Sequence, residues 1–274
     1  MPGETAPSGI DVSKPSVARV YDYLLGGKDN FAADRELVKL ALEVAPDAPQ
    51  LARANRQFLQ RVVRFLAGQA GIRQFVDIGS GLPTQGNVHE IAHQERPGAR
   101  VIYVDNDPIV LVHARALLAD SGSVKVVHAD TRRPEEILDN ATVREFIDFG
   151  EPVGLLLFAI LQHLNDDEDP AGVAARFRAA LPRGSYLALS HFFNPGEELP
   201  EISRHVIPAE KLFSERLGTG RWRSRDEVLS YFGDFELIEP GLVPVPEWRP
   251  DPDAEPIELG ITYHLFVGGV ARKP

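Results

Sequence analysis

The chain has 274 residues, 43% hydrophobic and 25% charged, an ordinary globular composition with apolar content for a substantial core. A formal net charge of −11 repels phosphate backbones and anionic headgroups, so no nucleic acid and no membrane is expected as a partner. The absence of cysteine removes disulfides, thiolate nucleophiles and Cys-ligated metals, and the lack of an apolar run of about 18 residues or a basic-then-apolar leader predicts a cytoplasmic protein.

In chain order, residues 1–15 are rich in Pro, Gly and Ser without periodicity, and predict a flexible tail. Helical patterning follows at 16–25, 32–44 and 49–70, with Gly71 as a stop. The character then changes. Apolar runs at 74–79, 99–105, 124–130, 153–161 and 185–192 alternate with helix-length segments at 86–95, 108–120, 134–147 and 168–181. Continuous apolar runs between amphipathic helices are what a parallel sheet covered on both faces requires. After a polar segment (194–224) and a helix (225–232), two strand candidates, 235–243 and 262–271, lack a crossover helix between them and so predict an antiparallel pair. The predicted fold is α/β, a doubly wound seven-stranded sheet, mostly parallel, with an N-terminal helical cover. Its expected organisation is a tail (1–15), a helical lid (16–70) and a nucleoside-binding domain (71–274) with an insertion at 193–224.

The segment "VDIGSGLPTQG" (76–86) joins the first strand to its helix. Gly79 and Gly81 remove side chains where a backbone must turn and approach a ligand. Asp105 ends the second strand, positioned to accept both hydroxyls of a ribose, while Asp107 and Pro108 start the next helix as N-cap and first helical residue. Asp130 ends the third strand, where a carboxylate can take an adenine amino group. Three acids at successive strand ends converge on the crevice where an open α/β sheet binds its ligand. A dinucleotide loop needs a third glycine, but Thr84 stands there, and Asp77 would repel a diphosphate while accepting an ammonium. This chemistry suits adenosine carrying a zwitterionic amino acid.

The motifs "DIGSG", "VDNDP" and "HAD" resemble those of class I S-adenosylmethionine-dependent methyltransferases. "ARVYDYLLGGKDNFAADRE" (18–36), with "FVDIGSGLPT", further resembles an actinobacterial S-adenosyl methyltransferase family, departing from D-x-G-x-G-x-G of the wider group at Pro83. The resemblance covers nearly the whole chain from about residue 14. It implies a Rossmann-like fold and S-adenosylmethionine as cofactor. Asp77 would act through the ammonium or loop geometry, and Gly79, Ser80 and Gly81 would line the methionine part. Asp105 would bind ribose, Asn106 would flank adenine, Asp130 and Thr131 would address its edge, and Phe158 and Ala159 would lie near the transferable methyl.

A helix ending at Gly26–Gly27 can cover that methyl group. Tyr23, Gly27, Lys28 and Asn30 are then expected at the cofactor carboxylate or the acceptor, with Arg56 as a bidentate carboxylate partner. The alternative is a plain helix C-cap with the tyrosines packing or facing solvent. His163, just after the fourth strand, is the candidate general base, with His191 weaker. "NDDED" (165–169) reads as a cap, not a metal site. The predicted activity is methyl transfer to a small-molecule O or N acceptor chosen by residues 16–36 and 193–224, with Phe213 and Trp222 lining a pocket or packing the roof. A non-catalytic S-adenosylmethionine or S-adenosylhomocysteine binder, a nucleotide-dependent oxidoreductase and a homodimeric state stay open.

Overall fold

The computed structural model describes residues 10–83, 86–118, 122–252, 258 and 260–274. Three helices lead: α1 (Val17–Leu24), α2 (Ala32–Val44) and α3 (Ala48–Arg64), the last continued by a π-helical turn over Phe65–Gln69. Then β1 (Gln74–Ile78), α4 (Val88–Glu95), β2 (Arg100–Asp105), α5 (Pro108–Leu118) and β3 (Val124–His128) alternate. The predicted helix 134–147 is two, α6 (Pro134–Leu138) and α7 (Ala141–Phe146), because the Asn140 side chain accepts the Thr142 N–H and starts a new helix. After these come β4 (Gly154–Phe158), α8 (Pro170–Ala180), β5 (Tyr186–Phe192), α9 (Pro200–Ser203), α10 (Val206–Leu217) and α11 (Arg225–Ser230). The short strands β6 (Glu236–Leu237) and β7 (Val243–Pro244) precede β8 (Phe266–Arg272).

The strand order is β3-β2-β1-β4-β5-β8-β6, with β7 also on β8. β1 to β5 are mutually parallel and β8 is antiparallel to β5, as the missing crossover helix requires. The sheet has eight strands, not seven. The expected strand 235–243 is split: Glu236 opposes Arg272, whereas Val243 opposes Gly268, a register displaced around Pro240 and Gly241. A proline lacks the ladder donor, and Gly241 has φ +91°, so neither continues a strand.

Side chains alternate across the sheet, and this parity decides which residues meet. Val76, Ile78, Ile102, Val104, Leu155 and Leu157 face one core with α8 and α11. Phe75, Val101, Tyr103, Leu156, Phe158 and Tyr186 face the other, against Phe58, Val62 and Trp248. Asp77, Asp105, Ser190 and Phe192 share the parity of that second set, so each points toward the side covered by α3.

The expected flexible tail, residues 1–15, needs correction where it is described. Ile10 packs on Leu82, Ile109 and Val110, and Arg19 donates to the carbonyls of Asp11 and Lys14, so residues 10–15 are tied down; residues 1–9 lie outside the described residues. α1 and α2 meet α10 through Val20, Leu37, Val38, Leu212 and Leu217. A buried ion pair, Arg19 Nε to Asp34 Oδ2 at 2.9 Å, joins the start of α1 to α2. Asp34 also accepts the backbone N–H groups of Ser16 (2.9 Å) and Phe31 (2.8 Å). Among the described residues no helix is long and apolar enough to cross a membrane.

Candidate active site

A cavity of about 680 Å³ opens over the C-terminal ends of β1, β2 and β4, roofed by α1, α2 and α10. Its size lies in the range of about 300–1,000 Å³ usual for small-molecule sites. After β1, the loop turns through Gly79 (φ +69°) and Gly81 (φ +67°), a left-handed backbone that glycine adopts at little cost. The two glycines differ in what they face. A Cβ on Gly79 would meet Ile160 Cδ1 at 2.5 Å, whereas one on Gly81 would meet nothing within 4 Å. Gly79 therefore serves internal packing, and Gly81 leaves open space along the cavity wall. Thr84, at the third-glycine position, lies outside the described residues.

Asp105 is the clamp of this loop. One carboxylate oxygen accepts the Gly81 N–H and the other the Asp107 N–H, both at 2.9 Å. Burial raises its pKa to about 6 against the lowering effect of those hydrogen bonds. Asp77, 4% exposed, has no hydrogen bond to its carboxylate among the described residues. Burial pushes it up to about 7, with Arg56 opposing and Asp105 adding to the rise. An opposite charge brought beside such a carboxylate restores its ionised form. Arg56 lines the same cavity with its Nε buried and unpartnered.

Asp130 is engaged already. Arg132 grips it with Nε and Nη2 (2.9 and 2.6 Å) and reaches Glu168 at 3.0 Å. Burial works to raise the Asp130 carboxyl, but the Arg132 contacts and the Asn106 side chain outweigh it and leave it lowered. Asn106, Asp130 and Thr131 all line the cavity, as do Ser80, Phe158 and Ala159. Ala159 has φ +52°, a left-handed conformation costly for a residue with a Cβ. Its N–H is held by the carbonyl (3.1 Å) and hydroxyl (3.0 Å) of Ser190.

His163 follows β4 in a short 3-10 turn and lines the cavity. Its Nδ1 has no partner, and burial lowers its pKa to about 4, so the ring is a neutral proton acceptor at physiological pH. His191 points to the opposite face, beside Tyr231, and is no part of this cavity. In the acidic run, Asp166 pairs with Arg223, Glu168 with Arg132, and Asp169 caps α8 through Gly172 N–H. Among the described residues no group of three or more carboxylate or imidazole side chains could hold a metal.

Four expected contacts need correction: Tyr23, Gly27, Lys28 and Asn30 do not line the cavity. The cause is Asp22. Its carboxylate accepts the Asp29 N–H and the Asn30 side chain, both at 2.9 Å, and a Cβ on Gly27 would fall 2.0 Å from it. The "LLGGKDN" turn thus closes on its own helix, while Tyr23 and Lys28 face solvent. Tyr21 enters the cavity instead. Its hydroxyl donates to Ala52 O and accepts from Asn55 Nδ2, both at 3.0 Å, and Asn55 Oδ1 accepts the Ser190 hydroxyl at 2.7 Å. Sequence reasoning missed Asn55, Ser190 and Gln162. Only the α3 periodicity, which sets Asn55 near Arg56 and Phe58, hinted at the first.

Comparison with known proteins follows the same lines. A family model described as S-adenosyl methyltransferase matches residues 3–274. A structure from Thermobifida fusca YX with a provisional methyltransferase name is 46% identical, with a TM-score of 0.89 over 97% of this chain and 98% of that one. A protein of the DUF574 family from Streptomyces avermitilis MA-4680 is 40% identical, with a TM-score of 0.88 over 96% and 99% of the two chains. An S-adenosylmethionine-dependent methyltransferase from Anabaena variabilis ATCC 29413, at 15% identity and a TM-score of 0.52 over 98% and 100%, shares the fold alone. No curated protein matches the chain.

Proposed function

Because the chain belongs to the S-adenosyl methyltransferase family, and is thus an S-adenosylmethionine-dependent enzyme, we propose that its cofactor lies across the ends of β1, β2 and β4 and that the acceptor is a small molecule methylated on O or N. The observation that carries this reading is that the buried Asp77, the Gly79–Gly81 turn, Asp105 and Arg56 line one cavity. A buried carboxylate on a cavity wall favours a cationic ligand, because the opposite charge restores its ionised form.

The residues fit the cofactor. Asp77 takes the ammonium and Arg56, through its free Nε, the carboxylate. Asp105 keeps lone pairs for the ribose hydroxyls beyond those that hold Gly81 and Asp107. Asn106, Asp130 and Thr131 border the adenine, and Gly79 and Ser80 the methionine chain. Bound there, S-adenosylmethionine supplies a methyl group activated by positive sulfur. The chain's own task is positioning and proton handling. Ser190 holds Ala159 in its strained conformation beside the reacting centre, and His163, neutral through burial, accepts the proton released by the acceptor. Residues 16–70 act as the lid.

Calorimetry with S-adenosylmethionine, S-adenosylhomocysteine and NAD tests the cofactor site: the first two bind and NAD does not. Labelled methyl transfer into a metabolite extract then tests turnover on small molecules. Label appearing only in protein or nucleic acid would overturn the acceptor reading.

A further inference from the structure

The cavity has two chemically different ends. Its carboxylates Asp77, Asp105, Asp107, Asp130 and Glu168 gather at the strand ends, and the remaining one, Asp11, lies with Lys14 in the segment before α1 that Ser16 ties to Asp107 (2.7 Å). The other end is a wall of rings built around Phe192, the last residue of β5. Trp222 stacks on Phe192 with centroids 4.1 Å apart and planes 6° from parallel. Phe213 (5.7 Å), Phe266 (5.5 Å) and His163 (6.1 Å) meet the same ring edge-on or nearly so. Beyond the rings, α2 and α10 add aliphatic surface from Val38, Ala41, Leu212 and Leu217.

Charge is missing from this end. Arg19 is spent on Asp34, and Arg132 on Asp130 and Glu168, while Arg56 sits beside Asp77. Among the described residues that line the ring wall and α10, the titratable groups are His163 and His205, and burial keeps His163 neutral. Three polar atoms there have no partner: Gln162 Oε1, His163 Nδ1 and Thr219 Oγ1. Gln162 is 1% exposed, so its free oxygen is an acceptor left unsatisfied inside the protein. Two segments bring these atoms together, since Arg221 N donates to Gln162 O (2.8 Å) and Asn165 Nδ2 to Gly218 O (3.1 Å).

The geometry points to an uncharged, planar aromatic compound bearing a hydroxyl group as the acceptor, its ring against Phe192, Trp222 and Phe213 and its hydroxyl toward Gln162, His163 and Thr219. The inference rests on the cofactor reading above. Ring edges and faces attract another ring beyond simple burial, an O–H donor satisfies the Gln162 oxygen, and a carboxylate or ammonium here would be buried without a counter-ion.

The test is calorimetry on the full chain saturated with S-adenosylhomocysteine, titrated with 2-naphthol, 2-methoxynaphthalene, 2-naphthoate and 1-octanol. Saturable binding of 2-naphthol is expected, at least tenfold tighter than each of the other three. Trp222→Ala should weaken 2-naphthol at least fivefold and leave S-adenosylhomocysteine affinity unchanged. Equal or tighter binding of 2-naphthoate or 1-octanol, or no saturable 2-naphthol binding to the loaded protein, overturns the aromatic-hydroxyl assignment while the cofactor site stands. Failure of S-adenosylhomocysteine itself to bind overturns both. The ligand series on the unmodified chain decides the question even where the variant does not fold.

Discussion

The side-chain oxygen of Asn55, on α3, accepts the hydroxyl of Ser190, on β5, at 2.7 Å across 135 residues of sequence. Both groups are buried, at 4% and 0% exposure, and each has a second bond: Asn55 to Tyr21 of α1, Ser190 to the strained Ala159. A hydrogen-bonded line therefore runs from α1 to the strand end where methyl transfer is proposed. Asn55→Leu leaves the Ser190 hydroxyl unsatisfied in the interior, and a loss of about 1–3 kcal/mol in stability is expected. Thermal unfolding checks the loss; an unchanged melting temperature would show that the line carries no energy.

Asp105→Ala removes the acceptor of two backbone N–H groups and the proposed ribose contact together. S-adenosylmethionine affinity should fall at least tenfold by calorimetry, a loss of about 1.4 kcal/mol or more. Retained affinity in a folded variant would remove Asp105 from the cofactor site.

Protonation gives an opposite pair of signs. Asp77 and Asp105 titrate near 7 and 6 in the folded chain, above the unfolded value of about 3.9. The ligand-free protein is therefore stabilised by them below that unfolded value, and this contribution is lost as pH rises through 6 and then 7. His163 and His191, depressed to about 4 and about 3, act the other way, losing their contribution as pH falls below about 6.5. A cationic cofactor needs Asp77 ionised, so its affinity should rise as pH climbs through about 7. Asp77→Asn should flatten that rise, and a wild-type slope surviving the change would assign it to another group.

Gly27→Ala forces a Cβ to within 2.0 Å of the Asp22 carboxylate, so this turn should lose stability. Tyr23→Ala, at 39% exposure, should change neither melting temperature nor cofactor affinity measurably. Weakened cofactor binding by the tyrosine variant would restore Tyr23 to the site.

Asp34→Ala leaves the Arg19 guanidinium, 3% exposed, without its carboxylate. Breaking a buried pair from one side costs about 3–5 kcal/mol. Hydrogen exchange should rise over α1 and α2 before the sheet is affected; uniform protection throughout would mean that the pair does not hold α1 to α2.

The five parallel strands and their helices were legible because each strand is a continuous apolar run, the first three ending at Gly79, Asp105 and Asp130. The loop glycines and the strand-end acids were legible for the same local reason. The eighth strand was not, since "FELIEPGLV" reads as one run until the register around Pro240 is known. Nor was the partner of Gly27, because the spacing of "YDYLLGGKDN" does not say whether its polar groups turn outward to a ligand or back onto Asp22.

What the sequence determined alone is the set of local preferences: the α/β alternation, the turn at Gly79–Gly81, the acids at strand ends and the family resemblance. Only the tertiary structure decided which of those groups meet, that Tyr21 and not Tyr23 reaches the cavity, and that rings from β5, α10 and the segment after it form one wall. Propensity and periodicity act over a few residues, whereas the contacts among Tyr21, Asn55, Phe192, Ser190 and Trp222 arise when distant segments are packed at fixed parity on a common sheet.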